Sequence, residues 1–98
     1  MQHVKVTATP AANNPLLAYT TDPNGGVVNT PVMVGGVWEA NLNAGVYYFS
    51  LTVTGPGGSA CEIAVAEDGA VTRDIKYSLP GAPAGQSTYT ETWLTSVK

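Results

Sequence analysis

Charge is what this sequence has least of. Four Lys/Arg and seven Asp/Glu stand among 98 residues, 11% of the chain, against roughly 25% in an average globular domain. The four basic residues Lys5, Arg73, Lys76 and Lys98 are scattered along the chain, only Arg73 and Lys76 being near each other. No basic stripe can therefore offer phosphates a counterion-release footprint, and no nucleic-acid partner is expected. A membrane-surface role lacks the same footprint, and no apolar run approaches the roughly 20 residues of a spanning helix. The N-terminal "MQHVKVTATP" has neither the positive start nor the apolar run of a secretory signal peptide.

Cysteine and histidine are nearly absent too. One cysteine, Cys61, excludes an internal disulfide. It stands in phase with Ile63 and Val65 in "SACEIAV", so it reads as a small buried hydrophobe. A reactive thiol needs a base, and the lone histidine, His3, sits at the chain start. Helical periodicity is missing throughout. No catalytic constellation, metal site or cofactor is expected, and the chain reads as a non-enzyme.

What is present is strand and turn. Seven prolines and eleven glycines fall between apolar runs rather than inside them, as punctuation. "HVKVTA" (3–8) alternates with Val4, Val6 and Ala8 on one face, "TPAANNP" reads as a loop, and "LLAYT" (16–20) is a short strand closed by the turn signal "TDPNGG". "VVNTPVMV" (27–34) contains Pro31, which demotes it to an edge strand or a bulged pair. "GGVWEANL" (35–42) follows. "GVYYFSLTVT" (45–54) separates Tyr47, Phe49, Leu51 and Val53 from Tyr48, Ser50, Thr52 and Thr54, the alternation of a half-buried antiparallel strand. "SACEIAVA" (59–66) and "AVTRDIKYSL" (70–79) flank "EDG", a type I′ hairpin signal. Val71, Ile75 and Leu79 are expected on the core face, with Arg73 at its edge.

Strands recurring every 8–12 residues between turns predict an all-β fold: one Ig-like, prealbumin-like antiparallel β-sandwich of about seven strands. Residues 1–79 form its body. "PGAPAGQS" (80–87) reads as a linker, and residues 88–98 as a C-terminal extension, either a strand of the sandwich or an arm that meets a partner. On the arm reading, Tyr89, Trp93 and Leu94 are the interface anchors, since buried aromatics dominate interface energetics. Tyr48, pointing away from the core, is a fourth candidate for an interface or a sugar-stacking platform.

"L-x-x-G-x-Y" at Leu42, Gly45 and Tyr47 predicts a tyrosine corner, with the Tyr47 hydroxyl bonded back to the backbone. With Phe49, Pro56, Gly57, Ile63, Val65, Gly69, Val71, Ile75 and Leu79, the chain from 42 to 79 resembles the carboxypeptidase regulatory-like (prealbumin-like) and Cna B-type sandwich modules. That resemblance implies spacer, display or adhesion roles rather than one activity. Some Cna B-type modules carry a Lys–Asn or Lys–Asp isopeptide bond. Here Lys5 and Asp74 are both out of phase with their apolar neighbours, so both are expected to face solvent.

Other acidic residues have bland readings. Glu67 and Asp68 belong to a hairpin, and Asp22 with Asn24 belongs to a turn without the further ligands of a calcium loop. Low charge, an all-β body, a Met start without an export signal and a terminal arm together fit a small bacteriophage virion protein. The expected role is capsid decoration or minor capsid protein, less so a tail-associated one, with the major capsid protein or a second copy of itself as partner and the virion as location. The alternative is a bacterial cell-surface or extracellular Ig-like module for adhesion or carbohydrate binding.

Overall fold

The computed structural model describes residues 1–10, 14–22, 24–81 and 85–98. Parts of the loop expected at 9–15 and of the linker expected at 80–87 lie outside the described residues, as does Pro23. Among the described residues there are seven strands: β1 (Gln2–Thr9), β2 (Leu16–Thr20), β3 (Val37–Leu42), β4 (Gly45–Pro56), β5 (Ala60–Glu67), β6 (Ala70–Ser78) and β7 (Gln86–Val97). They form two antiparallel sheets, β3-β1-β5-β6 and β2-β4-β7. The two sheets pack as an all-β sandwich compatible with an Ig-like fold.

The period-2 alternation builds the core directly. Val4, Val6 and Ala8 of β1 and Cys61, Ile63 and Val65 of β5 are buried from one sheet. Leu17 of β2, Tyr47, Phe49, Leu51 and Val53 of β4, and Trp93 and Val97 of β7 meet them from the other. Burying each large aliphatic side chain contributes about 1.5–3 kcal/mol before entropy is counted. Phe49 is the centre of an aromatic cluster, stacked on Trp93 with ring centroids 5.3 Å apart and 5.4 Å from Tyr19.

Turn chemistry fixes the register. Asp68 and Gly69 have φ of 51° and 84° between the paired Glu67 and Ala70, the positive pair that a type I′ turn demands. Where β3 crosses to β4, the Tyr47 hydroxyl donates to the Asn43 carbonyl at 2.8 Å. This is the tyrosine corner that Leu42-x-x-Gly45-x-Tyr47 predicted. Replacing Tyr47 with Phe should cost about 1 kcal/mol, read as a lower urea midpoint at unchanged slope. An unchanged midpoint would show that the corner bond contributes nothing.

Two expectations are corrected. Val71 is exposed rather than on the core face, because β6 carries an irregularity opposite Val65 and Ala66: Val65 faces Arg73, but Ala66 faces Val71. The extra residue, Thr72, reverses the alternation, as a bulge does. Residues 27–34 form no full strand. They touch β2 once, through a reciprocal pair of backbone bonds between Tyr19 and Asn29 (2.9 and 2.8 Å), and then turn into β3 through a Val34–Val37 bridge. Gly35 and Gly36 have positive φ at the tip of that bridge.

Of the two readings of residues 88–97, the structure shows the strand. β7 pairs with β4 over its whole length, from Gly45↔Val97 to Pro56↔Gln86.

Candidate interaction face

The few charges are distributed unequally between the two outer faces. Alternation turns Lys5 of β1, Glu39 of β3, Glu62 of β5 and Asp74 and Lys76 of β6 outward on the four-stranded sheet. His3 joins them, its ring placed 3.0 Å from Asn41 Oδ1 and 3.1 Å from Glu39 Oε1. Asp74, by hydrogen bond and by charge, raises the Glu62 carboxyl above its usual range, while Lys76 opposes the shift. Lys5 and Asp74 are both exposed, in line with the solvent-facing positions expected of them.

Among the described residues, the outer face of the three-stranded sheet holds no charged strand residue. Register aligns its side chains in rows: Thr20, Tyr48 and Leu94; Ala18, Ser50 and Thr92; Leu16, Thr52 and Thr90. Hydroxyls on neighbouring strands bond one another, Thr52 with Thr90 at 3.0 Å and Thr54 with Thr88 at 3.4 Å. Such pairs steady the sheet and occupy part of the hydroxyls' capacity for water. Leu16 is 65% exposed, Leu94 56% and Tyr48 39%, so apolar groups stand above a carpet of small hydroxyls.

Residues 30–33 extend this face at its β2 side. Val27, Val28, Val32 and Val34 are all exposed. Between 30–33 and the outer side of β2 and β4 runs a groove of about 610 Å³, lined by Pro15, Leu16, Ala18, Val32, Met33, Thr52 and their neighbours, none of them charged. A groove lined by exposed apolar residues is the kind of surface at which soluble proteins make contacts.

The sequence-predicted interface residues divide. Tyr48 and Leu94 sit side by side on the uncharged face, in register. Trp93 faces inward and is 7% exposed, so it is a core residue of its own domain. Tyr89 is also turned inward, stacked on Tyr77 at 4.1 Å and donating to Glu91 Oε1 at 2.7 Å. Arg73, half-buried as expected at the core edge, reaches the same carboxylate at 3.5 Å. These contacts close the side of the sandwich where β6 and β7 are edge strands. Two further residues weighed in the sequence behave as structure: Cys61 is buried, and Asp22 Oδ1 accepts the Asn24 N–H at 3.0 Å in its turn. Trp38 packs against Tyr19 and Phe49.

Burial first, then the neighbouring Cys61, Tyr89 and Glu91, pushes the Tyr77 phenol well above its ordinary value of 10.0. Tyr89 is raised by its hydrogen bond to Glu91 and by burial. A phenol whose folded pKa exceeds its unfolded one supports stability fully below about pH 10, and that support is lost as pH rises further. The melting temperature should therefore hold steady up to about pH 10 and fall above it, with the fall reduced in Tyr77→Phe. A profile identical in the variant would contradict the assignment to Tyr77.

In comparison with known proteins, no family model matches the chain, and no curated protein or solved structure matches it.

Proposed function

We propose that this chain is a non-enzymatic structural module, a small bacteriophage virion protein of the capsid-decoration or minor-capsid kind, which attaches to a protein lattice through the outer face of its three-stranded sheet. One observation carries the reading: every outward charge of the sandwich strands lies on one sheet, while the other presents Tyr48, Leu94 and Leu16 among small hydroxyls. A face without charge loses little on desolvation, and depletion of charge is the compositional mark of an interface centre. Its dimensions fit too. Twelve residues each of β4 and β7, five of β2 and the eight of residues 27–34, at about 3.3 Å along and 4.8 Å across each, make roughly 600 Å², at the lower end of what each partner buries in a specific interface. The resemblance to prealbumin-like and Cna B-type modules supports a display or spacer role of this kind.

A second reading has its own observation. Tyr48 offers a half-exposed aromatic ring among hydroxyls, a surface that suits a sugar ring. On that reading the chain is a bacterial cell-surface or extracellular adhesion or carbohydrate-binding module.

Quantitative mass spectrometry of purified particles and of cell fractions separates the two. Hundreds of copies per phage particle are expected. Absence from particles with enrichment in the envelope or medium would overturn the virion reading. Attachment should also fail in the double variant Tyr48→Arg/Leu94→Arg. Two unpaired charges against an uncharged partner should weaken binding at least thirtyfold, while both sites are exposed enough for stability to change by less than about 1 kcal/mol. Unimpaired attachment of the folded variant would remove this face from the interface.

A further inference from the structure

The groove beside β2 owes its existence to one residue. Tyr19 and Asn29 exchange both backbone bonds, so continuing that antiparallel ladder by two residues would set Leu17 against Pro31. Proline has no N–H to give the Leu17 carbonyl, and the ladder stops there. Residues 30–33 then diverge from β2, and the groove opens between them. The Leu17 side chain is buried in the core at 2% exposure, so Leu17 lines the groove with its backbone. Tyr19 and Leu17 share the same side of β2, two residues apart, so the Leu17 N–H and C=O point toward the diverging segment. Among the described residues no backbone partner takes them.

We propose that the groove receives an extended, uncharged segment of a neighbouring protein, about four residues long, that adds to β2 at Leu17 as a short strand. This rests on the lattice-attachment reading and names how the neighbour is held. An unpaired strand edge selects an extended backbone, because only such a backbone presents an N–H and a C=O at the spacing that Leu17 offers. The uncharged lining excludes Lys, Arg, Asp or Glu from the inserted positions, since none would find a counter-charge there. Alternate side chains of the segment would rest on Leu16, Ala18 and Thr52 on one side and on Val32 and Met33 on the other.

The test uses a capped hexapeptide of alternating Thr and Val, titrated into the isotope-labelled full chain and followed by amide chemical shifts. Saturable shifts centred on Leu17, Ala18 and Val32 are expected. They should weaken at least tenfold when alternate peptide nitrogens are methylated, because methylation removes the pairing donors. Val32→Arg, on an exposed segment, and Ala18→Arg, on the outer face, should each weaken binding by a similar factor. Val32→Arg serves even where Ala18→Arg does not fold. No saturable shift up to millimolar peptide, or equal binding of the methylated peptide, overturns the strand-addition proposal. The two claims fail separately. A chain found in particles whose groove ignores the peptide removes the groove alone, whereas a groove that binds in a chain missing from particles removes the virion reading alone.

Discussion

Truncation after Leu79 is expected to leave a chain with no cooperative unfolding transition. The deletion removes β7, and with it the partner of β4 along all twelve of its residues. The three-stranded sheet is reduced to β2 and β4, and a two-stranded ribbon is marginal by itself. The core loses Trp93 and Val97, and Phe49 loses its stacked ring. A buried Trp alone is worth about 3–5 kcal/mol on removal, against a total stability of about 5–15 kcal/mol for a domain. The truncated chain should show a collapsed amide spectrum and a featureless melt. A dispersed spectrum with a sharp melt would mean that residues 1–79 are a self-sufficient body and that β7 is a detachable arm.

The second large effect is at Trp93 itself. Trp93→Ala should destabilise the intact chain by about 3–5 kcal/mol, lowering the melting temperature by more than about 12 °C at this chain length. The mechanism is a cavity against Phe49, whose ring lies nearly parallel to the indole at an interplanar angle of 7°. The indole Nε1 is buried, and among the described residues it has no hydrogen-bond partner. Trp93→Phe keeps an aromatic ring against Phe49 and removes that unpaired donor, so it should cost less than half as much. Differential scanning calorimetry of the two variants decides. Equal losses would show that a ring retained against Phe49 contributes nothing, and a negligible loss in Trp93→Ala would remove Trp93 from the core.

Much of this architecture was legible in the sequence because it is local. The separation of Tyr47, Phe49, Leu51 and Val53 from Tyr48, Ser50, Thr52 and Thr54 assigns both faces of β4 without reference to any other strand. Asp68-Gly69 and Leu42-x-x-Gly45-x-Tyr47 specify their turn and corner through φ and a single hydroxyl. What was not legible depends on which strand pairs with which. The alternation of "TYTETWLTSV" is equally consistent with an edge of the same sheet and with an arm for another chain. Pairing to β4 turns Trp93 inward and leaves Leu94 beside Tyr48. Val71 follows the same logic at smaller scale, since its face is set by a bulge against β5 that local alternation does not reveal.

The interaction face is a product of pairing order as well. Lys5, Glu39, Glu62, Asp74 and Lys76 are spread over more than seventy positions, and they share a surface only because β3, β1, β5 and β6 are neighbours in one sheet. The uncharged face arises in the same way from β2, β4 and β7. One signal is local: Thr88, Thr90 and Thr92 alternate with Tyr89, Glu91 and Trp93, which separates a hydroxyl face from a packed one. Pro31 was likewise visible as a breaker of strand pairing. The groove it opens required the position of Asn29 against Tyr19.

The central claim is that the uncharged face is the attachment surface. Hydroxyl-radical footprinting of the chain bound on intact particles, compared with the free chain, addresses it most directly. Protection of Tyr48, Leu94, Leu16 and Val32 is expected, with Lys5, Glu39 and Lys76 as reactive bound as free. Protection of the charged face, with Tyr48 and Leu94 unchanged, would contradict it.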